Sequence, residues 1–310
     1  MRPFRFGFQF RDPDAAELIA AAKVAEAAGF DVISSWDHVT SGWSPLPPLL
    51  AAALATETIR VCPLVINNDF RHPVHLARDI LSMDVLTGGR VELGIGAGHS
   101  LPEYEAIGLT FDLPSVRKAR LRESVDILRP LLSGQEVSYR GVHFELNGVR
   151  LLKPHQSSIP ILVAAAGREA RAHSASNADI IGLTGLGKTH ADGQRHDVNW
   201  ESPRLDEEVA YIQQHSPGFA PELNALVQVV TVGDDREAIA AGLVADIDSL
   251  SLEDALTTPF LALGTHDQIA ANLIVARQRW GISYFTVRCI EEFAPVIERL
   301  RAYDAKEFGS

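Results

Sequence analysis

The sequence has few cysteines, no excess of positive charge and no long apolar run, and each shortage excludes a class of protein. Its two cysteines, Cys62 and Cys289, lie in strand-like runs, which favours core packing in a reducing compartment over a disulfide or a nucleophile. A net charge of −12 argues against nucleic acid or an anionic membrane surface as a partner. No stretch approaches the roughly 20 apolar residues of a membrane span, and the start of the chain does not resemble a signal peptide. We therefore expect a cytoplasmic protein.

Eight strand-like segments alternate with helical ones along the 310 residues. They lie at 4–9, 31–35, 59–66, 91–95, 159–164, 179–183, 223–232 and 282–288. This alternation, with no change of composition between the halves, predicts an α/β fold, a (β/α)8 TIM barrel that spans 1–310 as a single domain. Insertions are expected near 136–150, as an antiparallel hairpin, and near 186–204, as an irregular polar segment. A doubly wound open sheet is the alternative.

The glycine-rich segment at 91–99, VELGIGAGH, favours the barrel over the open sheet. It follows the fourth strand and reads G-x-G-x-G-His, whereas a Rossmann fingerprint reads G-x-G-x-x-G after the first strand. Glycine has no Cβ, so Gly94, Gly96 and Gly98 would let a flat or anionic ligand lie on the backbone. The segment therefore predicts a ligand pocket at this strand end.

Capping residues predict the ends of three helices. Asp12, followed by Pro13 at the first helical position, predicts the start of the first helix. Pro73 begins a helix that extends to about residue 86. Thr265 and Gln268 form a capping box for a helix that ends at residue 281.

The active site of a barrel lies at the carboxyl ends of its strands, so the residues there are the candidates. In chain order these ends carry Gln9, Trp36-Asp37-His38, Asn67-Asn68, Gly96-Ala97-Gly98-His99, Ala165-Ala166-Gly167-Arg168 and Thr184-Gly185-Leu186-Gly187. Trp36 offers an aromatic wall, Asp37 a carboxylate and His38 an imidazole that exchanges protons near neutral pH, although a structural histidine is an equal alternative.

Two strand ends carry glycines that suit a phosphate. Gly167 and Arg168 begin a helix, whose free N–H groups and nearby guanidinium would bind an anion. The segment from Gly185 through Leu186 to Gly187 would add backbone donors, although both could be ordinary turns. Asn67 and its neighbour could bond the edge of a heterocycle, but an Asx turn is the favoured interpretation.

For several other polar residues a structural role is favoured over a functional one, and no metal site is predicted. His72 and His75 flank Pro73 and are interpreted as capping or surface residues rather than ligands. His190 and His196 belong to the polar insertion, where a lid or a solvent-exposed loop is favoured over zinc. For Glu103 and Glu105 a solvated helix start is preferred over an acid–base pair.

Taken together, these residues resemble the bacterial-luciferase-like flavin and deazaflavin oxidoreductases, the luciferase-like monooxygenase superfamily, and most closely the branch that uses coenzyme F420. The segments that carry the resemblance lie at 25–31, 36–38, 71–73 with Ala77, 86–98 and 264–270, and the one ending at Gly98 is the most specific. The resemblance covers nearly the whole chain.

The resemblance implies a homodimeric TIM barrel that holds coenzyme F420 at the carboxyl ends of its strands, with FMN as the alternative. It implies a non-prolyl cis peptide at Leu64–Val65 or Val65–Ile66, against the deazaflavin. His38 matches an active-site histidine, and His38 or His99 would supply the proton that accompanies hydride transfer. The residues that would contact the cofactor are Trp36, Val65, Ile66, Asn67, Gly96, Ala97, Gly98, Ala166, Gly167, Arg168, Gly185, Leu186 and Gly187.

The predicted activity is therefore hydride transfer between C5 of the deazaflavin and a small organic substrate. A sugar-phosphate dehydrogenase of the family has an acidic residue where this chain has His99, and no matching set of lysines is evident. That substrate is accordingly not expected. The open alternatives are an FMN-dependent monooxygenase and a non-catalytic cofactor-binding protein, with a hydrolytic or aldolase barrel ranked last.

Overall fold

The predicted strands form one parallel hydrogen-bonded sheet in the computed structural model, which describes residues 1–11, 14–164, 166–183, 185–189, 196–216, 218 and 220–309. The strands are β1 (Arg5–Gln9), β2 (Val32–Ser35), β3 (Arg60–Pro63), β4 (Ile66–Asn67), β5 (Leu93–Gly96), β6 (Val137–Arg140), β7 (Glu145–Val149), β8 (Ile161–Ala164), β9 (Ile180–Leu183), β10 (Leu186–Thr189), β11 (His196–Val198), β12 (Glu222–Leu226), β13 (Val229–Val232), β14 (Leu261–Gly264) and β15 (Ile282–Val287). The helices are α1 (Ala15–Ala27), α2 (Leu46–Leu54), α3 (Pro73–Leu86), α4 (Leu101–Ala106), α5 (Pro114–Leu131), α6 (Arg168–Asn177), α7 (Ser202–Gln214), α8 (Arg236–Asp246), α9 (Leu252–Thr257), α10 (His266–Trp280) and α11 (Ala294–Phe308).

The main sheet runs in the order β3-β2-β1-β15-β12-β9-β8-β5-β4, and its pairs are parallel. Strands β3 and β4 are two parts of the predicted third strand, separated by a cis peptide at Leu64–Val65. A parallel bridge between Val61 and Val91 joins the two ends of the sheet. The predicted (β/α)8 barrel is therefore confirmed, as is the position of the cis peptide.

The inside of the barrel is apolar at mid-height and ionic at its amino-terminal end. Val32, Cys62, Leu162, Ile180 and Tyr284 form a buried cluster, with Leu64 and Val65 packed against it. Among the residues at the amino-terminal end, Arg5 pairs with Glu92 and with Glu222, each at 2.5 Å. These pairs lie opposite the carboxyl strand ends, which are left for the candidate site.

Two of the sheet predictions need correction. The predicted seventh strand, 223–232, is divided into β12, which lies in the barrel, and β13, which pairs in parallel with β14 outside it. Strand β14 was not predicted, because its four-residue apolar run has no period that separates strand from helix. The segment at 186–204, expected to be irregular, contains the antiparallel pair β10–β11, while the hairpin β6–β7 is as predicted.

The helix ends that capping residues predicted are confirmed for α3 and α10, but the predicted start of α1 is not. Asp14 caps α1, accepting from the backbone N–H groups of Ala16 and Glu17, so the start predicted from Asp12 and Pro13, which lie outside the described residues, is wrong. His72 caps α3 by accepting from the Val74 N–H, which confirms its interpretation as a capping residue. The Thr265–Gln268 capping box and the end of α10 at residue 281 are also confirmed.

The two glycines of β5 have a packing role that the sequence did not reveal. A Cβ built on Gly94 would lie 2.0 Å from the Pro63 carbonyl oxygen, so the backbones of β3 and β5 approach more closely than any side chain allows. Gly96 is similarly close to Val65, at 2.8 Å from one methyl carbon. These two glycines therefore allow the divided third strand to pack against β5.

We predict that Gly94→Ala destabilises the protein by about 1–3 kcal/mol or more, because backbone atoms must move to accept the methyl group. The measurement is the midpoint of thermal unfolding. Gly242→Ala is the matched control, since its position in α8 has nothing within 4 Å of the added Cβ and the change favours the helix. Equal midpoints for Gly94→Ala and the wild type would contradict the assignment.

Candidate active site

A cavity of about 490 Å³ lies at the carboxyl ends of the barrel strands. This volume is typical of a small-molecule or cofactor site. Of the predicted site residues, the cavity is lined by Trp36, Asp37, His38, Val65, Ile66, Asn67, Gly96, Ala97, Gly98, His99 and Ala166. The tertiary structure thus brings together residues from strand ends that are far apart in the chain, from Gln9 to Arg288.

His38 forms a carboxylate–imidazole pair with a residue that sequence reasoning set aside. Its Nδ1 lies 2.6 Å from Oε1 of Glu103, whose side chain is only 6% exposed. The other Glu103 oxygen accepts from the Val39 backbone N–H at 3.4 Å. The preferred solvated helix start is therefore wrong for Glu103, although Glu105 is exposed as expected.

The contact with Glu103 determines which nitrogen of His38 could exchange a proton with a ligand. An ionised Glu103 accepts the Nδ1 hydrogen, so Nε2 is the ring nitrogen left to exchange a proton with a ligand. The same carboxylate stabilises the imidazolium when Nε2 takes up a proton. The rings of Trp36 and His99 meet the His38 ring edge to face, at centroid distances of 5.4 and 5.6 Å.

Asp37 is bonded to Arg71 and to the backbone of β4. Both of its carboxylate oxygens accept from the guanidinium of Arg71, and Oδ2 also accepts from the Asn67 backbone N–H at 2.9 Å. A carboxylate engaged in this way positions β4 relative to β2. These bonds are those of a positioning residue, and the catalytic role of Asp37 stays a prediction.

Asn67 is held by a network on the same side of the cavity. Its side-chain oxygen accepts from the Asp69 N–H at 3.1 Å, which confirms the Asx turn, and also from the Tyr104 hydroxyl at 3.1 Å. Burial, and then the charge of Asp69, raises the pKa of Tyr104, so the hydroxyl stays protonated as a donor. Arg120 pairs with Asp69 at 2.8 Å. The network leaves the Asn67 amide with little freedom to rotate.

The far end of the cavity is cationic. Lys118 and Arg117, both on α5, line the cavity, and Lys118 Nζ lies 3.0 Å from the position of a Cβ on Gly167. Burial lowers the pKa of both side chains, and their mutual repulsion lowers that of Lys118 further. Within the described residues Lys118 makes no ion pair. A ligand anion beside Gly167, at the amino terminus of α6, would relieve this repulsion.

Five predicted cofactor residues are not among those that line the cavity, although one of them, Gly167, lies beside Lys118, which does line it. Arg168 is exposed, with its guanidinium 5.3 Å from the Tyr211 ring. Gly185 faces Phe260 and Val198, and Leu186 and Gly187 belong to β10. Their contact with the cofactor stays a prediction. Ala165, Thr184 and His190 lie outside the described residues.

Within the described chain, no group of three or more His, Cys, Asp or Glu side chains is arranged to hold a metal ion. None of the described helices is long and apolar enough to span a membrane.

Comparison with known proteins defines the family. The profile of the family described as luciferase-like monooxygenase matches residues 6–284, so this chain belongs to that family. The 5,10-methylenetetrahydromethanopterin reductase of Archaeoglobus fulgidus is 38% identical over 165 residues, which cover 53% of this chain and 48% of the relative. The F420-dependent glucose-6-phosphate dehydrogenase of Gordonia bronchialis is 32% identical over 164 residues, covering 50% and 48%. The chain thus spans about half the length of the curated relatives it matches.

Solved structures show the same fold. The coenzyme F420-dependent tetrahydromethanopterin reductase from Methanopyrus kandleri superposes with a TM-score of 0.74 at 19% identity, covering 96% of this chain and 100% of that one. An F420-dependent secondary alcohol dehydrogenase in complex with an F420–acetone adduct gives a TM-score of 0.76 at 15% identity, covering 97% and 100%. At these identities the likeness establishes the barrel alone.

We predict that the Asp37–Arg71 pair is a structural coupling that can be measured without any ligand. Asp37→Asn and Arg71→Gln should each lower stability, because each leaves a largely buried polar group without its partner. The loss of unfolding free energy in the double variant should be smaller than the sum of the two single losses, by about 0.5–3 kcal/mol. Urea unfolding provides the measurement, with Arg78→Gln on the exposed face of α3 as control. If the loss in the double variant equalled the sum of the two single losses, the two side chains would not be coupled and the pair would not position β4.

Proposed function

We propose that this protein is an F420-dependent oxidoreductase that transfers a hydride between the deazaflavin C5 and a small organic substrate. The observation that carries the proposal is the His38–Glu103 pair, set in a cavity that is lined by both apolar and cationic side chains. The names of the relatives support the choice of coenzyme F420. The homodimer and the cytoplasmic location stay predictions from the sequence.

The cavity fits the proposed cofactor in shape and in charge. Val65 and Ile66, together with Gly96 and Ala97 from the neighbouring strand and the turn after it, provide apolar and backbone surface against which a tricyclic ring can lie. Lys118 stands near the start of α6, where the anionic tail of the cofactor would find a cation that forms no ion pair with a described residue. When bound, coenzyme F420 supplies a ring carbon that donates or accepts a hydride.

The residues of this chain would position the reactants and move the proton. Trp36 and His99 restrict the His38 ring to one orientation through their edge-to-face contacts. Glu103 holds the Nδ1 hydrogen, so that Nε2 gives a proton to the substrate oxygen in reduction or removes it in oxidation. His99 is the second candidate for the proton, since it lines the same cavity.

We expect coenzyme F420 to bind with a stoichiometry of one per chain in a fluorescence titration, and FMN to bind more weakly. Lys118→Gln should weaken the affinity for F420 roughly tenfold, because a charge-assisted contact is lost. Lys153→Gln, an exposed lysine outside the cavity lining, should leave the affinity unchanged. If neither cofactor bound, the proposal would be wrong. Tighter binding of FMN, with oxygen uptake on reduction, would instead select a monooxygenase.

We also expect Glu103→Gln to slow hydride transfer about 100-fold, because general acid–base assistance of this kind contributes at least that factor. The rate is followed as oxidation of reduced F420 by a panel of aldehydes, ketones and enones, and compared on the acceptor that the wild type uses fastest. Glu105→Gln is the matched control, two residues away and exposed. Equal rates for the two variants would remove Glu103 from the mechanism, and no turnover with any acceptor would count against a reductase.

A further inference from the structure

Arg288, directly after β15, lines the cavity on a side that the proposed mechanism does not use. Its Nε donates to Oε1 of Gln9 at 3.0 Å. Its Nη1 makes only long contacts with Gln228, at 3.4 Å to Oε1 and 3.5 Å to the carbonyl oxygen. Its Nη2 makes no hydrogen bond to a described residue. The Nη1–Nη2 edge of the guanidinium is therefore available to a ligand.

The charge of Arg288 is not neutralised by the part of the chain that the structure describes, because no carboxylate pairs with it there. Burial lowers its pKa to about 10, and repulsion from Arg11 contributes. The guanidinium nevertheless stays protonated at neutral pH. A half-buried cation among neutral amides favours binding of an anion, which would replace lost solvation with charge-assisted hydrogen bonds.

Arg288 lies close to the part of the cavity wall that is proposed to hold the cofactor ring. It is distinct from Lys118, which is proposed to bind the cofactor's anionic tail. Gln9, which accepts from Arg288, donates its own amide N–H to the Leu64 carbonyl oxygen at 3.0 Å. One amide side chain thus connects the guanidinium to the Leu64–Val65 peptide. Lys118, by contrast, lies beside Gly167, which follows β8. An anion on Arg288 would therefore lie near the ring.

We propose that the substrate carries a carboxylate that binds to Arg288, with Gln9 and Gln228 orienting the guanidinium. A guanidinium edge matches the two oxygens of a carboxylate, and two amides hold it in one plane. The substrate class is then a small organic acid whose reducible carbon lies over the ring. This inference rests on the proposed function for its chemistry, but the anion site itself can be tested separately.

The test is isothermal titration of the F420-loaded protein with benzoate and with benzamide, a neutral molecule of the same shape, repeated with acetate and acetamide. We expect the wild type to bind the carboxylate of at least one pair roughly tenfold more tightly than the amide. Arg288→Gln should remove this preference, and Arg288→Lys should retain part of it. Arg299→Gln, which is outside the cavity lining, should behave as the wild type. Thermal unfolding of each variant checks folding.

Three outcomes would overturn the proposal. They are equal binding of acid and amide by the wild type in both pairs, an unchanged preference in a folded Arg288→Gln variant, and a tenfold loss of F420 affinity in that variant with carboxylate binding intact. The last would assign Arg288 to the cofactor. The same titrations without F420 separate the two proposals, because a preference that depends on Arg288 would persist there even if F420 failed to bind and the proposed function were wrong.

Discussion

The close approach of two barrel backbones is the constraint on which the site depends. Gly94 meets the Pro63 carbonyl where any side chain would collide, and Gly96 leaves room for Val65. This contact places the Leu64–Val65 peptide at the cavity wall, where Gln9 donates to the Leu64 carbonyl oxygen. The chain then continues along the same wall to Asn67. The barrel therefore needs the glycines of this segment for its own packing, whether or not a ligand also lies on Gly96 or its neighbours.

Charge is distributed unevenly along the barrel axis. At the amino-terminal end the cation of Arg5 is matched by Glu92 and Glu222, and beside the cavity Asp37 is matched by Arg71. The cavity is also lined by three cations that form no ion pair with a described carboxylate, Arg117, Lys118 and the half-buried Arg288. A protein with a net charge of −12 therefore presents a locally cationic cavity, which suits anionic ligands.

Sequence patterns predicted the parts of the site that follow strands directly, because strand ends are recognisable from local periodicity. Trp36, His38 and Asn67 were found in this way, and the cavity contains them. Glu103 was set aside because acidic residues at a helix start are usually solvated, and its burial depends on His38, 65 residues away. Lys118 gave no signal at all, since nothing in α5 distinguishes it from an exposed lysine until the helix packs beside Gly167.

The sequence by itself determined the alternation of strands and helices, most helix ends and the glycine-rich strand end, because periodicity and capping are properties of neighbouring residues. The tertiary structure alone decided that Glu103 bonds His38, that Asp37 pairs with Arg71 and that Arg288 faces the cavity with no described carboxylate beside it. The reason is physical. These contacts join residues distant in the chain, and their distances are set only when the barrel closes and its helices pack around it.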